Sequence, residues 1–199
     1  MKVILVRHGE SLSNQLGIHS GWADIPLTDL GRRQAEDAGR LLRGIPFDRV
    51  YASDLRRAMD TARIALPDAQ ILPEPLVREI NLGGINGRYQ ADCLVEYGQA
   101  YLDQKKLYDF TPFGGESHQQ VTQRVLVFRT RLEQEEARFV AVFTHKGVLR
   151  AMVQLLMGMP FYQLPLRCGN AAIAVFDYSQ GRWTLEGWNI GWKEEGNHA

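Results

Sequence analysis

The stretch VILVRHGE, residues 3–10, joins an apolar run directly to a polar loop, and the fold class follows from this junction. Its first four residues are apolar and mostly β-branched, which is typical of a strand covered on both faces in a parallel sheet. Arg7, His8 and Glu10 follow at the carboxyl end of that strand. Open α/β sheets bind ligands outside the carboxyl ends of their strands. The stretch therefore predicts a sheet edge that carries a polar site.

Comparable apolar runs recur along the chain and alternate with helical patterns. Further strands are predicted at residues 50–52, 140–143, 173–176 and, more weakly, 183–188. Helices are predicted after the capping residues Thr28, Ser53 and Ser117, and again over residues 147–157. Strands that alternate with helices are joined by right-handed crossovers, with helices on both faces of the sheet. The pattern predicts an α/β fold, a three-layer α/β/α sandwich with a mostly parallel central sheet.

No composition break or repeat divides the chain. Residues 1–199 are therefore predicted to form a single domain. A mostly polar and aromatic stretch stands apart from the alternating pattern, and we interpret it as a lid-like insert at about 88–116. This insert would lie over the ligand crevice of the sheet.

The charge balance and the apolar runs exclude several classes of protein. Lys and Arg total 23, as do Asp and Glu, so no overall field attracts nucleic acid or an anionic membrane. No apolar run is long enough for a membrane span or a signal-peptide core. Cys93 and Cys168 have no neighbouring cysteine and are interpreted as free thiols. We therefore expect a cytoplasmic protein with no nucleic-acid and no membrane partner.

Seven short motifs follow one another along the chain. They are Arg7-His8-Gly9-Glu10-Ser11-x-x-Asn14, Ser20-Gly21-Trp22, Pro26-Leu27-Thr28-x-x-Gly31, Ser53-x-Leu55-x-Arg57-Ala58-x-x-Thr61-Ala62, Arg78-Glu79, Gly114-Gly115-Glu116-Ser117 and Thr144-His145-x-Gly147. In order and spacing they resemble the histidine phosphatase superfamily, also called the phosphoglycerate mutase-like family, and within it the phosphatase branch. The resemblance covers residue 3 to about residue 150 and implies the same α/β sandwich.

The resemblance implies roles for five residues. His8 would be the nucleophile that forms a phosphohistidine, and Glu79 would be the proton donor. Arg7, Arg57 and His145 would hold the phosphoryl oxygens. The family needs no metal, and no cofactor is expected here. The remaining histidines have no partner at metal-ligand spacing, which agrees with this expectation.

The chemistry of phosphoryl transfer supports these roles independently. The transferred group spreads negative charge over its equatorial oxygens, and fixed cationic donors there supply most of the stabilisation. Arginine suits this task because its planar fork stays charged and binds two oxygens at once. A nucleophilic His8 must be neutral, so we expect one ring nitrogen to donate to a backbone carbonyl and the other to attack. Taken alone, Glu79 has a second interpretation, as an ion-pair partner of Arg78.

Four further residues, Asn14, Ser20, Gly21 and Lys146, are candidates for substrate binding. Asn14 follows the first strand, where its amide can donate to a phosphate oxygen, although a role in a turn explains it as well. Ser20 and Gly21 fit a tight turn equally well. Lys146 departs from the family pattern, which usually has a small residue after the second histidine. It either adds a cation to the phosphate site or points to solvent.

The sequence predicts a phosphomonoester hydrolase that acts on a small phosphorylated metabolite and releases inorganic phosphate. A cofactor-dependent phosphoglycerate mutase, a protein phosphohistidine phosphatase and a catalytically inactive phosphoprotein-binding module are the alternatives. Hydrolysis is favoured over the mutase because the only cations between Glu79 and Glu116 are Arg88, Lys105 and Lys106. The motif residues bind only the phosphoryl group, so they do not identify the substrate. They also leave open whether the protein forms a homodimer.

Overall fold

The computed structural model describes residues 1–158 and 166–191, and these form a six-stranded sheet with helices on both faces. The strands are β1 (Lys2–Arg7), β2 (Arg49–Ala52), β3 (Ile71–Pro73), β4 (Phe139–Thr144), β5 (Ile173–Ser179) and β6 (Arg182–Ile190). Their order across the sheet is β3-β2-β4-β1-β5-β6. The first four are mutually parallel, whereas β5 pairs antiparallel with β1, and β6 pairs antiparallel with β5. The predicted mostly parallel sheet is confirmed.

The described residues also form six α-helices. They are α1 (Leu12–Leu16), α2 (Asp29–Leu42), α3 (Arg56–Ala65), α4 (Gln90–Leu107), α5 (His118–Leu132) and α6 (Lys146–Met157). Thr28 caps α2 by accepting the N–H of Gly31, and Ser117 caps α5 in a capping box completed by Gln120. The predicted caps at Thr28 and Ser117 are confirmed. Within the described part of the chain, no helix is long and apolar enough to cross a membrane.

The core lies on both sides of the sheet, because successive strand residues point to opposite faces. On one face, Val3 and Leu5 of β1 pack in a cluster with residues of α5 and α6. On the other face, Ile4 and Val6 pack with residues of α2 and α3. The apolar stripe of α5 is buried on the first face, through Val121, Val125, Phe128 and Leu132. This arrangement is the predicted three-layer sandwich.

The predicted start of α3 is wrong. Ser53 does not cap this helix, which begins at Arg56 with Leu55 as its N-cap residue. The Ser53 hydroxyl instead accepts the N–H of Leu55 at 3.3 Å and forms a hydrogen bond of 2.8 Å with His145. Ser53 therefore connects the ends of β2 and β4, and Leu55, two residues later, occupies the capping position.

Two elements, β3 and α1, were not predicted, and the sequence indicates α4 only through a helical stripe of Leu94, Tyr97, Tyr101 and Tyr108. Helix α4 lies within the segment interpreted as a lid-like insert and is interrupted at Gly98, whose φ of 55° and ψ of −132° are not helical. A hydrogen bond of 2.7 Å between the buried side chains of His19 and Tyr101 ties α4 to the loop that follows α1. The segment thus packs on the domain, and its function as a lid stays a prediction.

Candidate active site

Three adjacent strand ends bring the predicted site residues together. Strand β4 lies between β1 and β2, and the three are parallel, so their carboxyl ends share one edge of the sheet. The backbone N–H of His8 donates to the carbonyl of Thr144 at 2.9 Å, and that of Ser53 donates to the carbonyl of Phe143 at 2.9 Å. The loops that begin at His8, Ser53 and His145 therefore leave the sheet side by side.

His8 is buried and its ring is fixed in one tautomer. A hydrogen bond of 2.7 Å joins its Nδ1 to the carbonyl of Gly9. A carbonyl only accepts, so Nδ1 carries the proton and Nε2 keeps its lone pair. Burial, followed by the charges of Arg57 and Arg7, holds the pKa of His8 well below its ordinary 6.5. His8 is therefore a neutral imidazole with Nε2 available to attack, as expected from the sequence.

The ring of His145 lies beside that of His8, with the ring centroids 5.2 Å apart. A hydrogen bond of 2.8 Å joins His145 Nε2 to Ser53 Oγ, and when the hydroxyl is its donor the neutral ring carries its proton on Nδ1. Nδ1 is buried and has no hydrogen-bond partner among the described residues. Burial, and next the charge of Arg57, lowers the pKa of His145 well below 6.5. His145 thus offers a neutral N–H donor.

Arg57 and Arg7 supply fixed positive charge at the same edge. Arg57 is fully buried, and its terminal nitrogens donate to the carbonyls of Gly21 at 2.7 Å and Ala23 at 3.1 Å. Burial lowers the pKa of Arg57 to about 10, so the guanidinium stays charged at neutral pH. Arg7 donates to the carbonyl of Cys168 at 2.6 Å. In both arginines Nε is buried without a partner among the described residues, so each retains a donor for a further oxygen.

Glu79 lies at the amino end of α6. Its Oε1 accepts the N–H of Ile80 at 3.0 Å and the N–H of Gly147 at 3.2 Å. The amino end of a helix favours a carboxylate in this position. Its negative charge also acts on the guanidinium groups of both site arginines. Arg78, the alternative partner considered from the sequence, pairs instead with Asp54.

The loop that carries Glu79 is fixed by Arg124 of α5. The Arg124 guanidinium donates to the carbonyls of Leu76 at 2.8 Å, Arg78 at 2.7 Å and Glu79 at 2.9 Å. It also forms an ion pair with Glu116, whose nearest oxygen is 3.0 Å away. Sequence reasoning missed Arg124, because a single arginine on an amphipathic helix has the pattern of a solvated surface residue.

The absence of a side chain at Gly147 allows Glu79 to reach α6. A Cβ at residue 147 would lie 2.3 Å from Glu79 Oε1, so Gly147→Ala must displace the carboxylate. We expect this variant to lower kcat/KM for an alkyl phosphate by at least about tenfold, because a small misplacement of a reacting group is costly. Thermal unfolding should change little, because the displaced atom ends a flexible side chain.

Gly84→Ala is the matched control for Gly147→Ala. It lies in the loop after Glu79, where a Cβ would be 3.7 Å from its nearest neighbour, the carbonyl oxygen of Phe113. Steady-state kinetics of both variants checks the prediction. Equal losses in the two variants, or full activity of Gly147→Ala, would contradict the placement of Glu79.

The remaining predicted substrate-binding residues lie near this edge in different environments. The side-chain oxygen of Asn14 accepts the N–H of Ser11 at 3.1 Å and the hydroxyl of Ser11 at 2.9 Å. This oxygen is therefore occupied, and the amide N–H groups of Asn14 are left to bind a ligand. The hydroxyl of Ser20 shares a hydrogen bond of 2.5 Å with that of Ser13. Lys146 is the half-buried first residue of α6, directly after the second histidine of the motifs.

The donors of this edge suit a tetrahedral oxyanion. Arg7 Nε, Arg57 Nε and His145 Nδ1 are three buried N–H groups without partners among the described residues. A phosphoryl group presents three oxygens to such donors. In residues 1–158 and 166–191, no group of three or more His, Cys, Asp or Glu side chains has an arrangement that could hold a metal ion.

Known proteins are similar to this chain in sequence and in fold. The model of the histidine phosphatase superfamily (branch 1) matches residues 3–191. The adenosylcobalamin/alpha-ribazole phosphatase of Escherichia coli (strain K12) is 37% identical over 165 residues, which cover 80% of this chain and 81% of that one. The 2,3-bisphosphoglycerate-dependent phosphoglycerate mutase 2 of Gloeobacter violaceus is 32% identical over 163 residues, with coverage of 77% and 74%. The crystal structure of the alpha-ribazole phosphatase from Shigella flexneri has a TM-score of 0.88 and 32% identity, with coverage of 96% and 97%.

Proposed function

This chain belongs to the histidine phosphatase superfamily and is a phosphatase of small phosphorylated metabolites, and we propose that it transfers the phosphoryl group to water through a phosphohistidine at His8. The observation that carries this proposal is the state of His8. The ring is buried, is neutral and has Nδ1 occupied by the Gly9 carbonyl. Its free Nε2 is thus a nucleophile placed beside two fixed cations.

In the first step, Nε2 of His8 attacks the phosphorus of the bound ester, and the bond from phosphorus to the leaving oxygen breaks. Arg7, Arg57 and His145 donate to the equatorial oxygens, where the negative charge is spread. Glu79 gives its proton to the leaving oxygen.

In the second step, water replaces the released alcohol. Glu79 is now a carboxylate and takes a proton from this water, whose oxygen forms a bond to phosphorus. The bond between phosphorus and Nε2 of His8 breaks at the same time. Inorganic phosphate leaves, His8 returns to its neutral form, and Glu79 is again protonated. In this proposal no step requires a metal ion, because the side-chain donors hold the charge.

The test of the proposed function is a product analysis of purified protein after exhaustive chelation of divalent metals. The protein is incubated with 3-phosphoglycerate and a trace of 2,3-bisphosphoglycerate, and free phosphate and 2-phosphoglycerate are measured together. We expect phosphate release to exceed isomer formation and to persist without metal. Faster isomer formation would establish the mutase alternative, and activity that returns only with a divalent ion would refute the metal-free mechanism.

The guanidinium of Arg57 is expected to be irreplaceable by another cation. Arg57→Lys keeps the charge but loses the fork that holds two backbone carbonyls while Nε remains free for a phosphoryl oxygen. We expect kcat to fall by at least about tenfold, or about 1.4 kcal/mol of transition-state stabilisation. The control is Arg56→Lys, an exposed neighbour on α3. A kcat of Arg57→Lys close to that of the control would contradict the role of Arg57.

The lowered pKa of His8 predicts that its ring stays neutral at pH values below the ordinary histidine pKa of 6.5. His8 can attack only when neutral, so lowering its pKa extends the active form to lower pH. In NMR titrations of protein with ¹³C-labelled histidine, we expect the His8 resonance to stay that of neutral imidazole from pH 7.5 to 6. His8→Asn identifies the resonance, and free histidine in the same sample is the control. A midpoint near 6.5 would contradict this account.

A further inference from the structure

Two cations of α6 lie next to the phosphoryl site, and the proposed mechanism does not use them. Lys146 and Arg150 are four residues apart on this helix, so their side chains lie on the same face. Lys146 directly follows His145, which offers its Nδ1 to the phosphoryl site. The face that carries Lys146 and Arg150 therefore begins at the edge of that site.

Arg150 and Arg7 are held along one short segment of chain. Arg150 donates to the carbonyl of Leu166 at 3.2 Å, and Arg7 donates to the carbonyl of Cys168 at 2.6 Å. Arg150 also donates to the hydroxyl of Tyr108 at 2.8 Å, at the end of α4. The two guanidinium groups thus bind carbonyls that are two residues apart along the chain, and the guanidinium of Arg7 belongs to the phosphoryl site.

The charges of both arginines act on Lys146. Burial lowers the pKa of Lys146, and the charges of Arg150 and Arg7 lower it further. Burial raises the pKa of the Cys168 thiol, and the charges of Arg7, Lys146 and Arg150 oppose that rise. The three cations therefore lie close enough to act on one another and on the same thiol. Glu79 is the acidic side chain that acts on Lys146.

Glu79 is the carboxylate whose charge acts on Arg7 and Lys146, and one carboxylate does not balance three cations. None of the ion pairs found among the described residues includes Arg7, Lys146 or Arg150. Arg150 Nε is buried without a hydrogen-bond partner among the described residues. Half-buried cations that outnumber their counter-charges are costly, and a bound anion offsets that cost.

A single phosphoryl group does not account for all of this charge. Its oxygens are matched by donors from Arg7, Arg57 and His145, which leaves Lys146 and Arg150 unmatched. We propose that Lys146 and Arg150 form a second anion subsite, so that the preferred substrate bears a carboxylate or a second phosphate close to its phosphate ester. This proposal rests on the hydrolase mechanism given above and identifies the substrate class within it.

The test compares pairs of phosphate esters that differ in the second anion. 2-Phosphoglycerate and glycerol 2-phosphate differ only in a carboxylate in place of a hydroxymethyl group. Fructose 1,6-bisphosphate and fructose 6-phosphate differ only in a second phosphate. The readout is the competitive inhibition constant of each compound against hydrolysis of p-nitrophenyl phosphate. The measurement applies whether or not a compound is itself turned over.

In the wild-type protein, we expect the anionic member of at least one pair to bind at least about tenfold more tightly than its partner. Lys146→Gln should reduce that ratio by at least about fivefold. Arg150→Gln should act in the same direction, but it also removes the bonds to Tyr108 and Leu166. Lys146→Gln is therefore the decisive variant. The charge-matched control is Arg63→Gln, at an exposed position of α3, which should leave the ratio unchanged.

Each outcome is distinct. Loss of preference in the carboxylate pair identifies a carboxylate subsite, and loss in the bisphosphate pair identifies a second phosphate subsite. Equal binding within both pairs in the wild-type protein, or ratios unaffected by Lys146→Gln, would overturn the proposal. Such a result would leave the hydrolase mechanism standing, because hydrolysis of p-nitrophenyl phosphate tests that mechanism in the same assay.

Discussion

Replacement of His8 by alanine is expected to lower kcat by at least about 10³-fold, because the group that forms the covalent intermediate is removed. Binding of inorganic phosphate should remain measurable. The donors from Arg7, Arg57 and His145 are held by the backbone and by Ser53, and none of them depends on the His8 ring. Steady-state kinetics and isothermal titration with phosphate test the two parts of this expectation.

The His8 ring is buried, so its loss can also disturb folding. His8→Asn retains a polar side chain and is the second variant, with thermal unfolding as the check on structure. A folded His8→Asn protein that retains a substantial fraction of wild-type kcat would show that another residue is the nucleophile. Loss of both phosphate binding and turnover in a folded variant would show that His8 organises the site instead of attacking.

The second large effect is expected for Glu79→Gln and depends on the leaving group. An alkyl phosphate releases a basic alkoxide that needs a proton, so its kcat should fall by about 10²-fold or more. p-Nitrophenyl phosphate releases an acidic phenol, so its kcat should fall by less than about tenfold. Equal losses for the two substrates would indicate that Glu79 only shapes the pocket.

Much of the sheet was predictable, because its inner strands are continuous apolar runs. β1 and β4 pair in register from Lys2 with Phe139 to Arg7 with Thr144, and both are covered on both faces. β3 was not predictable, because its three residues contain Pro73 and are only partly buried at an edge of the sheet. Such a short edge strand has almost no pattern of its own.

The bounds of helix α4 were missed for a related reason. Its buried residues, Cys93 and Tyr101, are few, and exposed apolar residues such as Val95 obscure the helical period. Gly98 also interrupts the helix. Position within the fold, more than periodicity, stabilises such a segment. The sequence therefore indicated a helical stripe within residues 90–113 but not the bounds of the helix.

The site residues were predictable because they follow strand ends that the topology brings together. The structure, and not the sequence, shows why glycine is required at two of the motif positions. A Cβ at Gly9 would lie 2.2 Å from the carbonyl oxygen of Gly31, and a Cβ at Gly31 would lie 1.9 Å from that of Glu10. The loop after β1 and the start of α2 thus touch backbone to backbone. The contacts of Ser53 and Arg124 depend on side-chain positions and were not predictable from spacing.

The central claim is that the phosphoryl group passes through His8. The direct measurement is a rapid quench of the enzyme with ³²P-labelled substrate, followed by digestion and mapping of the labelled peptide. The account predicts an acid-labile, alkali-stable phosphoryl group on the peptide that contains His8, formed and discharged at rates consistent with kcat. Label on a serine or aspartate would contradict this account. So would the absence of labelled enzyme in a preparation that turns over substrate and in which dephosphorylation is the rate-limiting step.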